Sequence, residues 1–101
     1  MPVFYTSILF IAPPNILLKK LICASNQLDK LDVSKNVNLV ELNCGHNKFT
    51  SLDVTNNLEL CTLCCNDNQL KTLDLSKNIR LIEILCKGNE FKSLLELFNQ
   101  Q

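Results

Sequence analysis

Leucine, cysteine and asparagine recur along the chain at a fixed interval of 21 residues. Four units open at Leu18, Leu39, Leu60 and Leu81, and they align without insertion or deletion as far as Leu94. Each unit has the apolar spacing LxxLxC, followed by an asparagine and two further apolar residues. A fixed period of roughly 20 to 50 residues is typical of a solenoid, because one unit cannot bury its apolar face without a neighbour.

Each unit predicts one short strand near its start, because apolar and polar residues alternate there. In the first unit, alternation places Leu21 and Cys23 inward and Ile22 outward. Only about ten residues separate the asparagine after one strand from the next unit, which is short for a helix and its two turns. We therefore expect a parallel sheet on one face, 3₁₀ turns or short extended segments on the other, and little α-helix.

The alignment divides the chain into three parts. Residues 18–94 hold the four units, whose bounds are 18–38, 39–59, 60–80 and 81–94. Residues 95–101 are predicted to be a C-terminal cap or a frayed tail. After Leu94, the run SLLELF at residues 93–98 breaks the pattern and favours a short amphipathic helix.

The N-terminal stretch, residues 1–17, allows two interpretations. Its apolar run could be a secretory signal, but no Lys or Arg precedes it, and it is too short to span a membrane. It could equally be a degenerate repeat that caps the solenoid, since Phe10, Ala12 and Asn15 lie 21 residues before an equivalent residue of the first unit. Terminal repeats are often atypical, so the register favours the cap.

Two recurrent columns predict structural roles. The stacked cysteines suit a narrow coil as small apolar residues, and their parallel side chains at roughly 4.8 Å disfavour disulfide bonds. The stacked asparagines offer both a donor and an acceptor to backbone groups that face inward where the chain turns. The residues are Cys23, Cys44, Cys65 and Cys86 in one column and Asn26, Asn47, Asn68 and Asn89 in the other.

A third column brings Asp32, Asp53 and Asp74 within roughly 5 Å of one another. Three stacked carboxylates would repel unless each accepts hydrogen bonds, as aspartate does in an Asx-turn. A calcium site is the alternative interpretation. Turn chemistry is favoured, because calcium needs six or more oxygen ligands and each coil supplies one carboxylate.

Composition narrows the choice of partner and cofactor. Ten basic and ten acidic residues give a formal net charge of zero, which argues against a nucleic-acid partner and against an anionic membrane surface. Six cysteines in 101 residues could indicate a disulfide scaffold, but the 21-residue spacing explains four of them as core. We expect no cofactor and no membrane span.

The pattern LxxLxCxxNxLxxLDVSxN resembles the bacterial leucine-rich repeat proteins with 21-residue cysteine-ladder units, of the internalin J type. The resemblance covers residues 18–94. It implies a right-handed leucine-rich repeat solenoid with a parallel sheet on its concave face. It also implies a non-enzymatic module that binds a protein or glycan through that face, in a secreted or cell-surface setting.

Strand alternation supplies the candidate binding residues of the concave face. Their mixed charge, with exposed apolar side chains among them, suits a protein partner. The candidate binding residues are His46, at the end of the second strand, and Lys20, Ile22, Ala24, Glu41, Asn43, Thr62, Cys64, Asn66, Glu83, Leu85 and Lys87.

Two alternatives of other classes stay open. The chain could be a structural piece of a larger array, with end-to-end self-association through its open ends. It could also hold a metal or redox site, because Cys61 and Cys64 form a CxxC pair outside the cysteine column and His46 is the single histidine. Alternation argues against zinc, since it points Cys64 and Cys65 in opposite directions.

Overall fold

The computed structural model describes residues 9–92, which form short parallel strands joined by turns, with no helix in that range. Each strand is three residues long. The strands are β1 (Leu9–Ile11), β2 (Lys20–Ile22), β3 (Lys30–Asp32), β4 (Glu41–Asn43), β5 (Thr62–Cys64) and β6 (Glu83–Leu85).

Four strands form one parallel sheet in the order β2-β4-β5-β6. Each residue pairs with the residue 21 positions later, so Leu21 lies beside Leu42, Leu63 and Ile84 in turn. A constant shift of one unit means that the chain makes one full turn per unit. The fold is therefore the predicted leucine-rich repeat solenoid. We call residues 18–38, 39–59, 60–80 and 81–92 coils 1 to 4, and the outward side of this sheet the concave face.

The opposite side of each coil, which we call the convex side, is built mainly from turns. Its sheet consists of β1 and β3, paired so that Phe10 lies beside Leu31. In coil 2 the chain turns twice, with Asn57 N–H donating to Val54 O at 3.0 Å and Leu60 N–H to Asn57 O at 3.1 Å. Two successive tight turns return the chain to the next strand without a helix.

The core runs along the solenoid axis and is most complete in the middle. In coil 2, Leu42, Cys44, Phe49 and Val54 are all fully buried. The equivalent residues at the ends, such as Ile84, are only half-buried because a neighbouring coil covers them on one side. Stacking thus completes the core, as expected when one coil cannot bury its own apolar face.

Three sequence predictions fall partly or wholly outside the described residues: the membership of Leu94 in the fourth unit, the cap or tail at residues 95–101, and the structure of residues 1–8. Within residues 9–17, the chain keeps the repeat register. Ala12 is buried at the position equivalent to Val33, and its N–H donates to Asp32 O at 3.0 Å. Whether residues 1–17 act as a cap stays a prediction.

Candidate binding surface on the concave face

The strands place eight of the predicted binding residues on the outward side of the four-stranded sheet, and the other four, Ala24, His46, Asn66 and Lys87, lie two or three residues after a strand. The inward residue between each outward pair belongs to the core, as Leu42 and Leu63 show by their full burial. Lys20, Ile22, His46, Glu83, Leu85 and Lys87 are exposed, whereas Ala24, Glu41, Asn43, Thr62, Cys64 and Asn66 are half-buried.

Exposure is uneven along this surface. Ile22 in coil 1 and Leu85 in coil 4 are 60% and 44% exposed, so an apolar side chain lies at each end of the sheet. Lys20 and Glu41 form a salt bridge of 3.0 Å on the edge of the same sheet. The side chains of Lys20 and Glu41 are 61% and 39% exposed, so solvent screens the pair, and it organises the surface more than it stabilises the fold.

The centre of the face carries two oriented amides. Asn43 Oδ1 accepts Gly45 N–H at 3.2 Å, and Asn66 Oδ1 accepts Lys87 N–H at 2.7 Å. Both Nδ2 groups are left without an acceptor among residues 9–92. Because the backbone fixes each amide, these donors are pre-positioned for a carbonyl or hydroxyl group of a ligand.

His46 lies at the rim of the face and reaches the next coil. Its Nε2 is 3.2 Å from Asp67 Oδ2, and both side chains are more than half exposed. His46 and Asp67 have φ values of 54° and 57°, in the left-handed region, and Ser25 and Gly88 at the equivalent positions have 61° and 71°. The turn after each strand therefore requires a left-handed residue.

The proposed metal or redox residues do not assemble into a cluster. Cys61 is half-buried, and its Sγ lies 3.4 Å from Glu59 O. Cys64 is a free, half-buried thiol on the concave face. In the part of the chain that the structure describes, no group of three His, Cys, Asp or Glu side chains is arranged to hold a metal ion.

The cysteine column lies inside the solenoid. Cys23, Cys44 and Cys65 are buried, Cys86 at the last coil is half-buried, and all four are free thiols. Burial raises the pKa of Cys65 to about 12 and that of Cys44 still further above its ordinary value. These thiols stay protonated and behave as small apolar core residues.

The asparagine column after the strands joins successive coils. Asn47 Nδ2 donates to Cys23 O and Cys44 O at 3.0 Å each, and its Oδ1 accepts Leu28 N–H at 2.9 Å. Asn68 repeats the pattern one coil later, with Oδ1 accepting Phe49 N–H at 3.1 Å. Asn89 continues it, whereas Asn26 in coil 1 is exposed and bonds only within its own turn through Nδ2.

The aspartate column forms the predicted Asx-turns. Asp74 Oδ1 accepts Ser76 Oγ–H at 2.6 Å and Ser76 N–H at 3.0 Å, and Asp32 and Asp53 make the equivalent bonds. The bond from the hydroxyl, and then the bond from the backbone, lower the pKa of each carboxyl. These carboxylates are therefore committed to their turns, which favours turn chemistry over calcium.

Sequence reasoning did not assign a role to a second asparagine column on the convex side. Asn36, Asn57 and Asn78 are buried, and Asn57 Nδ2 donates to Val33 O at 3.0 Å and Asn36 O at 2.9 Å. The Oδ1 atoms of all three have no hydrogen-bond partner within residues 9–92. Their recurrence every 21 residues was the available signal, but recurrence does not indicate whether a turn residue points inward.

The sequence pattern also did not predict a column of exposed apolar residues on the convex side. Each member directly follows an asparagine, which is buried in coils 1 to 3 and exposed at Asn15, and the column consists of Ile16, Val37, Leu58 and Ile79. Each has an equivalent residue 21 positions away, so the column was visible in the sequence. Apolar periodicity alone does not separate a residue that faces the core from one that faces solvent.

Comparisons with known proteins support the same architecture. A scan against protein-family models gives no match, and neither does a search of curated proteins. Among solved structures, the chain is similar to one described as the functional domain of InlJ from Listeria monocytogenes, which includes a cysteine ladder. The two share 31% sequence identity with a TM-score of 0.57, over 78% of this chain and 22% of that one.

Proposed function

Because the chain is an internalin J-like repeat solenoid with a cysteine ladder, we propose that it is a non-enzymatic interaction module that binds a protein through its concave face. Its likeness to a leucine-rich repeat protein supports an interaction module in general terms. The four-stranded sheet presents the outward side chains of four stacked coils on one surface. The specific parts of the proposal are that the partner is a protein and that it binds the concave face.

The observation that carries the proposal is the arrangement of apolar and polar groups on this face. Ile22 and Leu85 are exposed at the two ends of the sheet, and the oriented amides of Asn43 and Asn66 lie between them. Apolar anchors supply affinity when a partner buries them, and fixed polar groups supply specificity. A glycan would use the amide donors but would leave the two apolar ends largely unused, so a protein is the better match.

Interface size limits the expected affinity. Four coils at strand spacing span only about 15 to 20 Å. The concave face is therefore small beside the roughly 800 Å² that each partner buries in a standard interface. We therefore expect weak or transient binding by a single copy.

No helix in residues 9–92 is long and apolar enough to cross a membrane. A secreted or cell-surface location follows from the resemblance and belongs to the proposal.

The test compares partner retention by matched variants. The chain, immobilised through an added tag, is presented to extracts of the source organism and of cells in contact with it. Changing Ile22 and Leu85 to Asp should remove specific partners. Ile79→Asp is the control, because Ile79 is 87% exposed but lies on the convex side.

A second measurement maps the contact directly. Cys64 is half-buried on the concave face and Cys61 is half-buried outside it, so each can carry a thiol-linked photocrosslinker in a variant that lacks the other cysteine. Crosslinks from Cys64 but not from Cys61 would support the concave face. A partner retained equally by the double Asp variant, or crosslinked only from Cys61, would overturn the proposal.

A further inference from the structure

The C-terminal end of the solenoid presents backbone donors that would bond to a further coil. In coils 1 to 3 the cysteine N–H donates to the following coil, as Cys65 does to Leu85 O at 2.8 Å. Two residues later the pattern repeats, with Asp67 N–H donating to Lys87 O at 2.7 Å. In coil 4 the equivalent donors belong to Cys86 and Gly88, and neither finds an acceptor among the described residues.

The N-terminal end presents the matching acceptors. The carbonyls of Asn43 and Gly45 accept N–H groups from coil 1, at 2.8 and 2.9 Å. The equivalent carbonyls in coil 1 belong to Ile22 and Ala24. Within residues 9–92 they receive no backbone N–H from a preceding coil, and Ala24 O accepts only the side chain of Asn26, at 2.9 Å. The two ends are thus complementary in their backbone groups.

The asparagine column is interrupted in the same complementary way. Asn89 Oδ1 accepts Leu70 N–H from the coil before it, at 3.1 Å. At the start of the column, Asn26 Oδ1 accepts no N–H from residues 9–92. At the end, the N–H of Phe91, which is equivalent to Leu70, has no acceptor in the same range. An Asn26 amide placed on coil 4 would complete this ladder.

Side chains at the two ends also match. Lys20 and Glu41 show that this position holds a salt bridge between adjacent coils, at 3.0 Å. In coil 4 the same position is Glu83, which is exposed and lies beside the uncharged Thr62. A coil 1 stacked on coil 4 would therefore bring Lys20 to Glu83. The two exposed apolar ends of the sheet, Ile22 and Leu85, would meet in the same register.

We propose that a second copy of this chain docks head to tail, with β2 of one copy pairing in parallel beside β6 of the other. The interface is heterologous, so the second copy still offers its own β6, and assembly grows into an open filament rather than a closed dimer. This association is separate from partner binding by the concave face, although both use the edge residues Ile22 and Leu85.

Residues 1–8 and 93–101 of the same chain are rival occupants of these two ends. In the repeat register, Pro2 would take the position of Cys23, where an N–H must donate, and proline has none. Ser7 would take the position of Leu28, which is buried and apolar. A second copy brings the residues that the column requires, so it is the better match for this end.

The test is a charge reversal read by sedimentation velocity, over about a hundredfold range of protein concentration with the thiols kept reduced. The native chain should show an average mass that rises with concentration. Lys20→Glu and Glu83→Lys each place like charges at the junction, so each should weaken association by about tenfold. An equimolar mixture of the two single variants should assemble again, because every junction between unlike variants then joins opposite charges.

Two controls separate assembly from folding. Lys48→Glu makes the same charge change on an exposed residue of coil 2, away from both ends, and should leave association unchanged. Thermal unfolding of each variant checks that the monomer remains folded, since Lys20→Glu also removes the bridge to Glu41. A chain that stays monomeric throughout, or single variants that associate like the native chain, would overturn the proposal.

Discussion

The strand side and the convex side of each coil use the same residue type differently. On the strand side, the amide of Asn68 has a partner for its Nδ2 group and for its Oδ1 atom. On the convex side, the amide of Asn57 donates twice, but its Oδ1 finds no partner within residues 9–92. On the strand side, the asparagine amide therefore both donates to and accepts from the neighbouring coil. On the convex side, it only donates.

The titratable groups differ between the two sides as well. The strand side holds thiols whose pKa is raised by burial, and the convex side holds carboxyls whose pKa is lowered by hydrogen bonds. The two sides should therefore fail at opposite ends of the pH scale. Four predictions probe this contrast, in order of decreasing effect.

Alkali should destabilise the strand side most. The pKa of Cys65 rises from an ordinary 9.0 to about 12, so the folded chain keeps a proton that the unfolded chain loses. The contribution of this thiol is fully present below pH 9 and declines as pH rises toward 12. Near pH 11, ionisation of this thiol in the unfolded chain should lower the free energy of unfolding by roughly 3 kcal/mol. Urea unfolding as a function of pH measures the slope.

Matched cysteine variants decide the source of this slope. Cys65→Ala should reduce the alkaline slope, whatever it does to stability at neutral pH, and the slope that remains includes the share of Cys44, whose pKa burial also raises. Cys61→Ala, which changes a half-buried thiol outside the cysteine column, is the matched control. Equal slopes in both variants would assign alkaline unfolding to other groups.

The two asparagine columns should differ in the cost of truncation. Asn68→Ala leaves three carbonyls and the Phe49 N–H without their amide partner, at an expected cost of about 3 kcal/mol. Asn57→Ala loses only two bonds and removes a buried, unpartnered oxygen, so about 2 kcal/mol is expected. Urea unfolding at neutral pH compares them, and a larger loss for Asn57→Ala would reverse the comparison.

Acid should destabilise the convex side. The bond from the Ser76 hydroxyl, and then the bond from its N–H, hold the pKa of Asp74 below its ordinary 3.8. The contribution of this carboxylate is present above that value and is lost as pH falls through the lower pKa of the folded state. Asp74→Asn should remove this share of the acid slope and keep the turn. Ser76→Ala should reduce the slope by removing the larger cause. An unchanged profile below about pH 4 would contradict this assignment.

The smallest effect is expected at the turn after the strand. His46 and Asp67 form an exposed pair, which contributes at most about 0.5 kcal/mol. Asp67 has a φ of 57°, so Asp67→Gly should relieve backbone strain and be neutral or stabilising by up to about 1 kcal/mol. Gly88→Ala should instead destabilise, because its Cβ would contact the Asp67 carboxylate. Thermal unfolding of both variants checks the sign, and a clear loss for Asp67→Gly would show that the ion pair dominates.

The repeat period predicted the solenoid and its stacked strands, because equivalent residues must lie side by side when each unit makes one turn. It also predicted the Asx-turns, since three stacked carboxylates need hydrogen bonds. It did not predict that Asn57 is buried while Leu58 is exposed, because side-chain direction in a turn depends on dihedral angles rather than on periodicity. The contact between His46 and Asp67 was likewise hidden, since rotamers decide it.

The uniform shift of 21 residues between paired strands has a consequence for how such a chain can change in length. Duplicating or deleting one whole coil restores every backbone bond and every column at the new junction. Inserting a single residue in a strand would instead turn its apolar side chains toward solvent. Growth by whole units is therefore nearly free of structural cost, and the length of the array is open to evolutionary adjustment in steps of one coil.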